Sequence, residues 1–140
     1  MKSHRRRGRR SGCPISTALD VLGDAWSLLI VRDLMFKGYR SFNEFLNAGE
    51  GIASNILAER LARLESAGIL TKSRDPGDAR RYLYRLTEKG IDLAPTLVEV
   101  VLWAARHEQT DAPESTLHAM REDRERFLAA VRDSWSMAGK

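Results

Sequence analysis

Four arginines are concentrated in one short stretch of the chain, SRDPGDARRYLYRLT, which covers residues 73–87. They flank an Asp-Pro-Gly-Asp turn, and they are Arg74, Arg80, Arg81 and Arg85. A hairpin tip cannot bury four guanidinium groups, and the two neighbouring aspartates neutralise only part of their charge. Guanidinium groups on an exposed arm suit contact with phosphate oxygens. The alternative is an edge strand whose charges prevent unwanted strand pairing.

A predicted helix precedes this hairpin, and its pattern leaves one face free. Leu57, Leu61 and Leu64 share one side at helical spacing, so the opposite side is small and polar. Only a face of this kind brings side chains within reach of base edges in a DNA major groove. The residues predicted to contact DNA from this helix are Ser54, Asn55, Ala58, Glu59, Ala62 and Arg63.

Two of these side chains have chemistry that suits bases. Asn55 can pair with adenine, and Glu59 can accept a hydrogen bond from the amine of cytosine. The alternative is an ordinary amphipathic helix whose solvated side carries a Glu59–Arg63 ion pair. Taken with the arginines of the hairpin, the pattern favours contact with DNA. A protein-interaction module built on the same scaffold remains the second interpretation, because a fold does not fix a function.

The excess of positive charge lies at the N-terminal end. Six of the 23 lysines and arginines fall within residues 1–12, which contain no acid, so the other 17 face 19 acidic residues. The net charge of +4 therefore describes the first residues rather than the body of the chain. We expect residues 1–12 to be a disordered basic arm.

The elements that position these residues follow from apolar spacing and punctuation. Short helices are predicted from Pro14 to Gly23, from Asp24 to Gly38 and from a Ser41–Glu44 capping box, and a fourth from about residue 54 to 67. Strands at 69–74 and 81–86 form the hairpin. Helices follow at about 88–107, with Pro95 as a kink or a boundary, and at 114–135. This order predicts a mainly α fold with a small β-ribbon, a winged helix-turn-helix with C-terminal dimerisation helices. The expected parts are the arm at 1–12, the winged helix at 13–107 and a C-terminal helical extension at 108–140.

Several motifs occur together between Cys13 and about Trp103. They are Cys13-Pro14, Gly23 to Trp26, Arg40-Ser41-Phe42, Ile52, the leucine ladder of the fourth helix, Glu65, Gly68 and Leu86 to Gly90. In this combination the segment resembles the HxlR-type winged-helix transcriptional regulators. The resemblance implies a homodimeric bacterial regulator that binds a pseudo-palindromic site in double-stranded DNA through the fourth helix, with the ribbon along the backbone.

Three features depart from the family pattern. Ala53 stands where serine is common, so that Ser54 would cap the helix instead. The outer positions of that helix are small or acidic, and the chain continues past Thr110.

Cys13 is the one cysteine of the sequence, so an internal disulfide framework is excluded. At the predicted cap of the first helix, unpaired amides and the helix dipole favour a thiolate. Some regulators of the resembled family use a cysteine at this Cys-Pro position as a redox or electrophile switch, which makes Cys13 a candidate sensor. The alternative is a capping or packing cysteine without a regulatory role.

Several other classes of function have no support in the sequence. The three histidines lack metal-ligand spacing, and no nucleophile-base or paired-carboxylate pattern occurs, so we expect neither an enzyme nor a metal or cofactor site. No apolar run reaches the length of a membrane span, and a cytoplasmic protein is expected. The operator and any small-molecule effector are not specified by the sequence.

Overall fold

The computed structural model describes residues 10–139, which form eight helices and one antiparallel two-stranded ribbon. The predicted mainly α fold with a winged helix-turn-helix is confirmed. Most of the predicted basic arm lies outside the described residues. In chain order the elements are α1 (Pro14–Leu22), α2 (Ser27–Met35), α3 (Phe42–Leu46), α4 (Ser54–Ser66), β1 (Leu70–Asp75), β2 (Asp78–Leu86), α5 (Glu88–Ile91), α6 (Ala94–His107), α7 (Glu114–Glu122) and α8 (Arg124–Ala138).

Side chains just before α2 and α3 bind the free amides at the start of each helix. The Asp24 carboxylate accepts hydrogen bonds from the amides of Trp26 and Ser27, at 2.7 and 2.9 Å. The predicted capping box is present, because Ser41 accepts from the amide of Glu44 and the Glu44 carboxylate accepts from the amide of Ser41. These bonds satisfy donors that have no partner within the helix.

Asp24 should make stability depend on acid pH. Partial burial raises the pKa of its carboxyl group, but hydrogen bonds from Ser27, Trp26 and Arg60 outweigh this effect and bring the pKa down to about 2. A carboxyl group with a depressed folded pKa contributes stability above its unfolded pKa and loses it as pH falls through the folded pKa. We therefore expect Asp24→Asn to lower the free energy of unfolding at pH 7 by about 1–2 kcal/mol.

Urea unfolding of the wild type and Asp24→Asn at pH 7 and at about pH 2.5 measures this contribution. The difference between the two proteins should shrink at the lower pH, because a pH of about 2.5 lies below the pKa of this carboxyl group in the unfolded chain, which then takes up a proton and gains stability relative to the folded state. An equal difference at both pH values would show that Asp24 acts through packing alone.

The core joins α2, α3 and α4 to the base of the ribbon. Its largest fully buried side chains include Leu57 and Leu64 of α4, Val31 of α2 and Leu70 of β1. The amide of Tyr84 donates to the carbonyl of Arg40 at 2.8 Å, which holds β2 against the segment before α3. Because only the base of the ribbon is packed in this way, its distal half projects away from the core.

The two long C-terminal helices predicted from the sequence are each divided in the structure. The first breaks at Asp92–Leu93, and Pro95 occupies the first turn of α6, where its missing amide proton costs nothing. The second breaks at Asp123, whose backbone (φ −123°, ψ 44°) leaves the helical region. The second break was not predicted, because no proline or glycine marks it.

The last helix folds back onto the chain's own core. Trp135 packs against the core cluster, and its indole N–H donates to the carbonyl of Leu86 at 2.8 Å. Phe127 lies against Phe36 with ring centroids 6.2 Å apart, and Val131 also packs against the core. The helix therefore supports the base of β2.

Apolar spacing predicts a surface for a second copy of the chain, and its residues are Val98, Val101, Leu102, Trp103, Phe127, Leu128 and Val131. Val98 is fully buried, so the prediction is wrong for that side chain. Phe127 and Val131 are half-buried against the chain's own core. Trp103 alone among the residues of that prediction is a large exposed side chain, at 57%.

Candidate nucleic-acid interface

Helix α4 presents the face that its sequence predicts. Leu57, Leu61 and Leu64 are 0–3% exposed on the inner side. The outer side is free of contacts with the core, and each predicted DNA-contacting residue on it is exposed: Ser54, Asn55, Ala58, Glu59, Ala62 and Arg63. The structure thus brings all six together on one solvent-facing surface.

The start of α4 differs from the expectation for Ser54. The helix begins at Ser54 itself, with Ala53 as the capping residue, and no side chain accepts a hydrogen bond from the first-turn amides. Alanine has no acceptor atom, and Ser54 lies one position too late to cap the helix. The first-turn amides are therefore available to an external acceptor.

The arginines of α4 have different surroundings. Arg60 is 19% exposed, and its Nε lies 3.1 Å from Asp24 Oδ1, so it ties α4 to the start of α2. Helical spacing predicts that Arg60, like Arg63, is placed for phosphates or groove edges, but in the structure Arg60 links α4 to Asp24. Arg63 stays on the outer face, with its Nε 3.9 Å from Glu59 Oε2. That exposed ion pair is the one expected for an ordinary amphipathic helix, and such a pair contributes little to stability.

Strands β1 and β2 form the wing, residues 70–86, and its far end carries most of the positive charge. The strands pair in regular register from Leu70↔Leu86 to Arg74↔Tyr82, and the register then shifts between Arg74 and Asp75. Residues 79–81 consequently have no partners in the ladder. We call residues 72–82 the wing tip.

Cations outnumber carboxylates at the wing tip. The side chains of Arg80 and Arg81 are 90% and 53% exposed. Each lies near one aspartate: Arg80 Nε is 3.2 Å from Asp78 and Arg81 Nε is 3.1 Å from Asp75. Ion pairs this exposed are weak, so both guanidinium groups can exchange their aspartate for a phosphate. The cations of the tip are Lys72, Arg74, Arg80 and Arg81, against two carboxylates.

Two of these cations lie over the same aromatic ring. Tyr82 lies beneath Lys72 Nζ at 4.3 Å and beneath the guanidinium of Arg74 at 4.8 Å. Strand alternation predicts that Tyr82 and Tyr84 share the inner face of the ribbon, but Tyr82 is 36% exposed whereas Tyr84 is 7% exposed. The expectation for Tyr82 is wrong because the ribbon extends beyond the core that covers its base. Lys72 was not predicted as part of the site, although strand alternation places it on the same side of β1 as Arg74.

Arg85 does not join the other three arginines of the hairpin. Its guanidinium lies 4.5 Å from the ring of Trp135, and its Nη2 donates to the carbonyl of Trp135 at 2.9 Å. It is half-buried at the base of the wing. The structure therefore places Arg85 as a link to α8, apart from the wing tip.

The segment that contains α4 and the wing identifies the protein family. The model of the HxlR-like helix-turn-helix family matches residues 21–112, which include α2 to α6 and the whole wing. The chain belongs to the HxlR-like helix-turn-helix family. The resemblance seen in the sequence is confirmed, and the proteins to which this HxlR-like chain is similar are HTH-type transcriptional regulators.

Known proteins similar to this HxlR-like chain agree with that assignment. An HTH-type transcriptional regulator of Synechocystis is 37% identical over 86 residues, which make up 61% of this chain and 63% of that protein. The crystal structure of PA1607 superposes with a TM-score of 0.67 at 38% identity and covers 75% of this chain and 72% of its own. The reduced form of the transcriptional regulator YodB from Bacillus subtilis gives a TM-score of 0.57 at 32% identity, over 68% of this chain and 93% of its own.

The thiol of this HxlR-like protein lies at the start of α1, before the segment that the family model matches. Cys13 is exposed and caps α1 with its backbone in the extended region. Hydrogen bonds from the amides of Ser16 and Ile15 lower the pKa of the Cys13 thiol. The lowered pKa agrees with the expectation for a cysteine at a helix start.

The residues that the structure describes also bear on metal binding and on membrane crossing. Between residues 10 and 139, no three His, Cys, Asp or Glu side chains are grouped so as to hold a metal ion. Within the same range, no single helix is long and apolar enough to cross a membrane, although α1 and α2 together pass that test as a pair bent by 79°.

Proposed function

We propose that this protein is a sequence-specific transcriptional regulator that binds double-stranded DNA as a homodimer, with α4 in the major groove and the wing tip along the phosphate backbone. The observation that carries the proposal is the exposed polar face of α4 together with a projecting wing tip on which four cations face two carboxylates. A module that binds only proteins would not need guanidinium groups at this tip.

Each part of the surface has a separate role in this proposal. Asn55 and Glu59 read base edges, because they lie on the outer face of the helix that enters the groove. Arg74, Arg80 and Arg81 bind phosphates, which position the protein without reading sequence. The open first-turn amides of α4 offer a further anchor for a phosphate. Arg85 is left out of the contact set because Trp135 holds it at the base of the wing.

The proposal of a homodimer depends on α1 and α6. The apolar pattern of α1 is strong, yet none of its residues is buried, and Ile15 and Leu19 are 71% and 52% exposed on neighbouring turns. On α6, Trp103 and Val100 are 57% and 47% exposed. Exposed apolar side chains of this size are typical of a surface that a second copy of the chain buries. The two halves of the DNA site should then be about 34–36 Å apart, or a multiple of this distance.

Binding to the promoter region beside its own gene tests the proposal, and a salt series identifies the phosphate contacts. Arg80→Ala/Arg81→Ala should weaken binding to all DNA sequences alike and reduce the slope of log affinity against log salt by about 1 per lost contact. The matched control is Arg121→Ala/Arg126→Ala, which removes the same charge from exposed positions of α7 and α8. Equal losses in the two double variants would show that only net charge matters and that the wing does not touch DNA.

Asn55→Ala should act differently, because a base contact carries sequence information. We expect a loss of about 1–3 kcal/mol at the cognate site and little change at unrelated DNA. Competition between the two DNA types measures this ratio. A uniform loss on both would remove Asn55 from the residues that read sequence.

We extend the proposal to a thiol-reactive signal received at Cys13. The support is the exposure of the thiol, its lowered pKa and the similarity to YodB, a regulator whose structure is known in a reduced and in a diamide-treated form. Diamide or a quinone should change DNA affinity in the wild type but not in Cys13→Ser. Unchanged affinity after complete reaction of the thiol would leave Cys13 as a structural residue.

A further inference from the structure

A large apolar cavity lies on the side of α2 opposite the core of α3 and α4. Its volume is about 630 Å³, within the usual range of about 300–1,000 Å³ for small-molecule sites. Twelve of its sixteen lining residues are apolar, which favours a largely apolar occupant. The other four are Arg32, Lys37, Thr116 and Ser134.

The C-terminal extension supplies seven of the sixteen lining residues. Leu29 of α2, Phe36 directly after that helix and Val101 of α6 line one side, whereas Met120 of α7 and Phe127 of α8 line the other. Helices α7 and α8 lie beyond residue 112, where the family match ends. The cavity therefore belongs to this chain as a whole, not to the family segment alone. Methionine and phenylalanine side chains can adjust to the shape of an occupant.

The charge at the cavity is positive on one side. No carboxylate lines it. Arg32 lines the cavity with the aliphatic part of its side chain, because its guanidinium is already paired with Asp33 and Glu50, each at 2.8 Å. Among residues 10–139, no carboxylate lies within 4.0 Å of Lys37 Nζ, and the nearby charge of Asp33 is engaged by Arg32. Lys37 is an exposed lining residue whose Nζ lies 5.7 Å from the centre of the Tyr39 ring, and this weak contact leaves its ammonium group available to an anion bound beside it.

We propose that this cavity binds an apolar organic acid, an aromatic or medium-chain carboxylate whose hydrocarbon part fills the space between α2, α6, α7 and α8 and whose carboxylate pairs with Lys37. A purely apolar ligand would leave the ammonium group unused, and a strongly polar ligand would lose its hydration against twelve apolar side chains. Thr116 and Ser134 provide hydroxyl groups for one further polar atom of the ligand.

The cavity also has a route to the DNA-reading helix. Arg32 lines the cavity and binds Glu50 in the loop that leads directly into α4. A ligand that shifts Arg32 would move this loop, and with it the start of α4. This regulatory part rests on the proposed function, whereas ligand binding itself does not.

Decanoate, used below its micelle-forming concentration, and decanol as its neutral counterpart test the binding site without DNA. Calorimetry should show decanoate binding about tenfold or more tightly than decanol. Lys37→Met should remove this difference, and the control Lys72→Met, which deletes a lysine at the wing tip, should preserve it. Ala130→Trp and Thr116→Trp, which fill the cavity from α8 and α7, should abolish binding of both compounds.

Three results would overturn the site. The first is that the wild type binds decanoate and decanol with equal affinity, and the second is that both filled variants still bind the two compounds. The third is that the filled variants change their oligomeric state, which would assign the cavity to a second copy of the chain. A second arm measures DNA affinity with and without decanoate, and we expect a change of about fivefold or more. Decanoate that binds without this change would overturn the regulatory part. Absence of DNA binding in both conditions would overturn the proposed function and leave the decanoate site intact.

Discussion

Replacing Trp103 by arginine is expected to convert the proposed dimer into a monomer and to weaken binding to the full DNA site by about 100-fold or more. Trp103 is 57% exposed on α6, and a large aromatic side chain in that position is a typical anchor of an interface. A monomer engages one half-site at a time and loses the gain from linking two recognition helices. Sedimentation at micromolar concentration and DNA binding to the full site and to a single half-site measure both effects.

The control variant is Met137→Arg, which introduces the same charge at a side chain that is 74% exposed near the end of α8. It should leave the oligomeric state unchanged, and Trp103→Phe should retain the dimer. A wild-type protein that sediments as a monomer would contradict the proposed assembly directly. A Trp103→Arg protein that remains dimeric would move the interface away from α6.

Replacing Trp135 by alanine is expected to destabilise the fold and to loosen the wing. The indole packs on the core, donates to the carbonyl of Leu86 and lies against the guanidinium of Arg85. Full truncation of a buried tryptophan costs about 3–5 kcal/mol, so we expect about 2–3 kcal/mol for this half-buried one. Urea unfolding measures the loss, and hydrogen exchange at the base of β2 should speed up beyond what the global loss explains.

Trp135→Phe separates packing from hydrogen bonding. It keeps an aromatic face for Arg85 but lacks the N–H that binds Leu86, so its loss of stability should be smaller than that of Trp135→Ala. DNA affinity should fall in Trp135→Ala at temperatures where the protein remains folded, because a loosened wing presents its arginines less well. If DNA affinity stays constant while stability falls, α8 supports the fold but does not orient the wing.

The features that the sequence predicted correctly depend on local spacing. Leu57, Leu61 and Leu64 recur with the helical period, which is enough to identify the inner face of α4 and therefore its outer face. The Ser41–Glu44 capping box and the positive φ of Gly68 (78°) at the end of α4 are also local signals. The existence and the order of the elements around the candidate site follow from such patterns.

The features that the sequence did not predict depend on distant contacts. Arg85 looks like its three neighbours in the hairpin, and only the return of α8 some 50 positions later separates it from them. The spacing of Phe127 and Val131 indicates an apolar face of a helix. It does not indicate whether that face packs on the chain's own core or on a partner. Tyr82 shares a strand face with Tyr84, yet its burial depends on how far the core extends under the ribbon.

The contact of Trp135 with Arg85 and Leu86 implies that the segment matched by the family model cannot be transplanted without α8. The family segment ends at residue 112, but the base of its wing is held by a side chain at position 135. A chimera that transplants residues 21–112 into another regulator would leave Arg85 without its aromatic partner, and an exchange of wings between relatives would have the same defect. Efforts to retarget this protein should therefore exchange β2 and α8 as one unit, and substitutions at positions 85 and 135 should be inherited together.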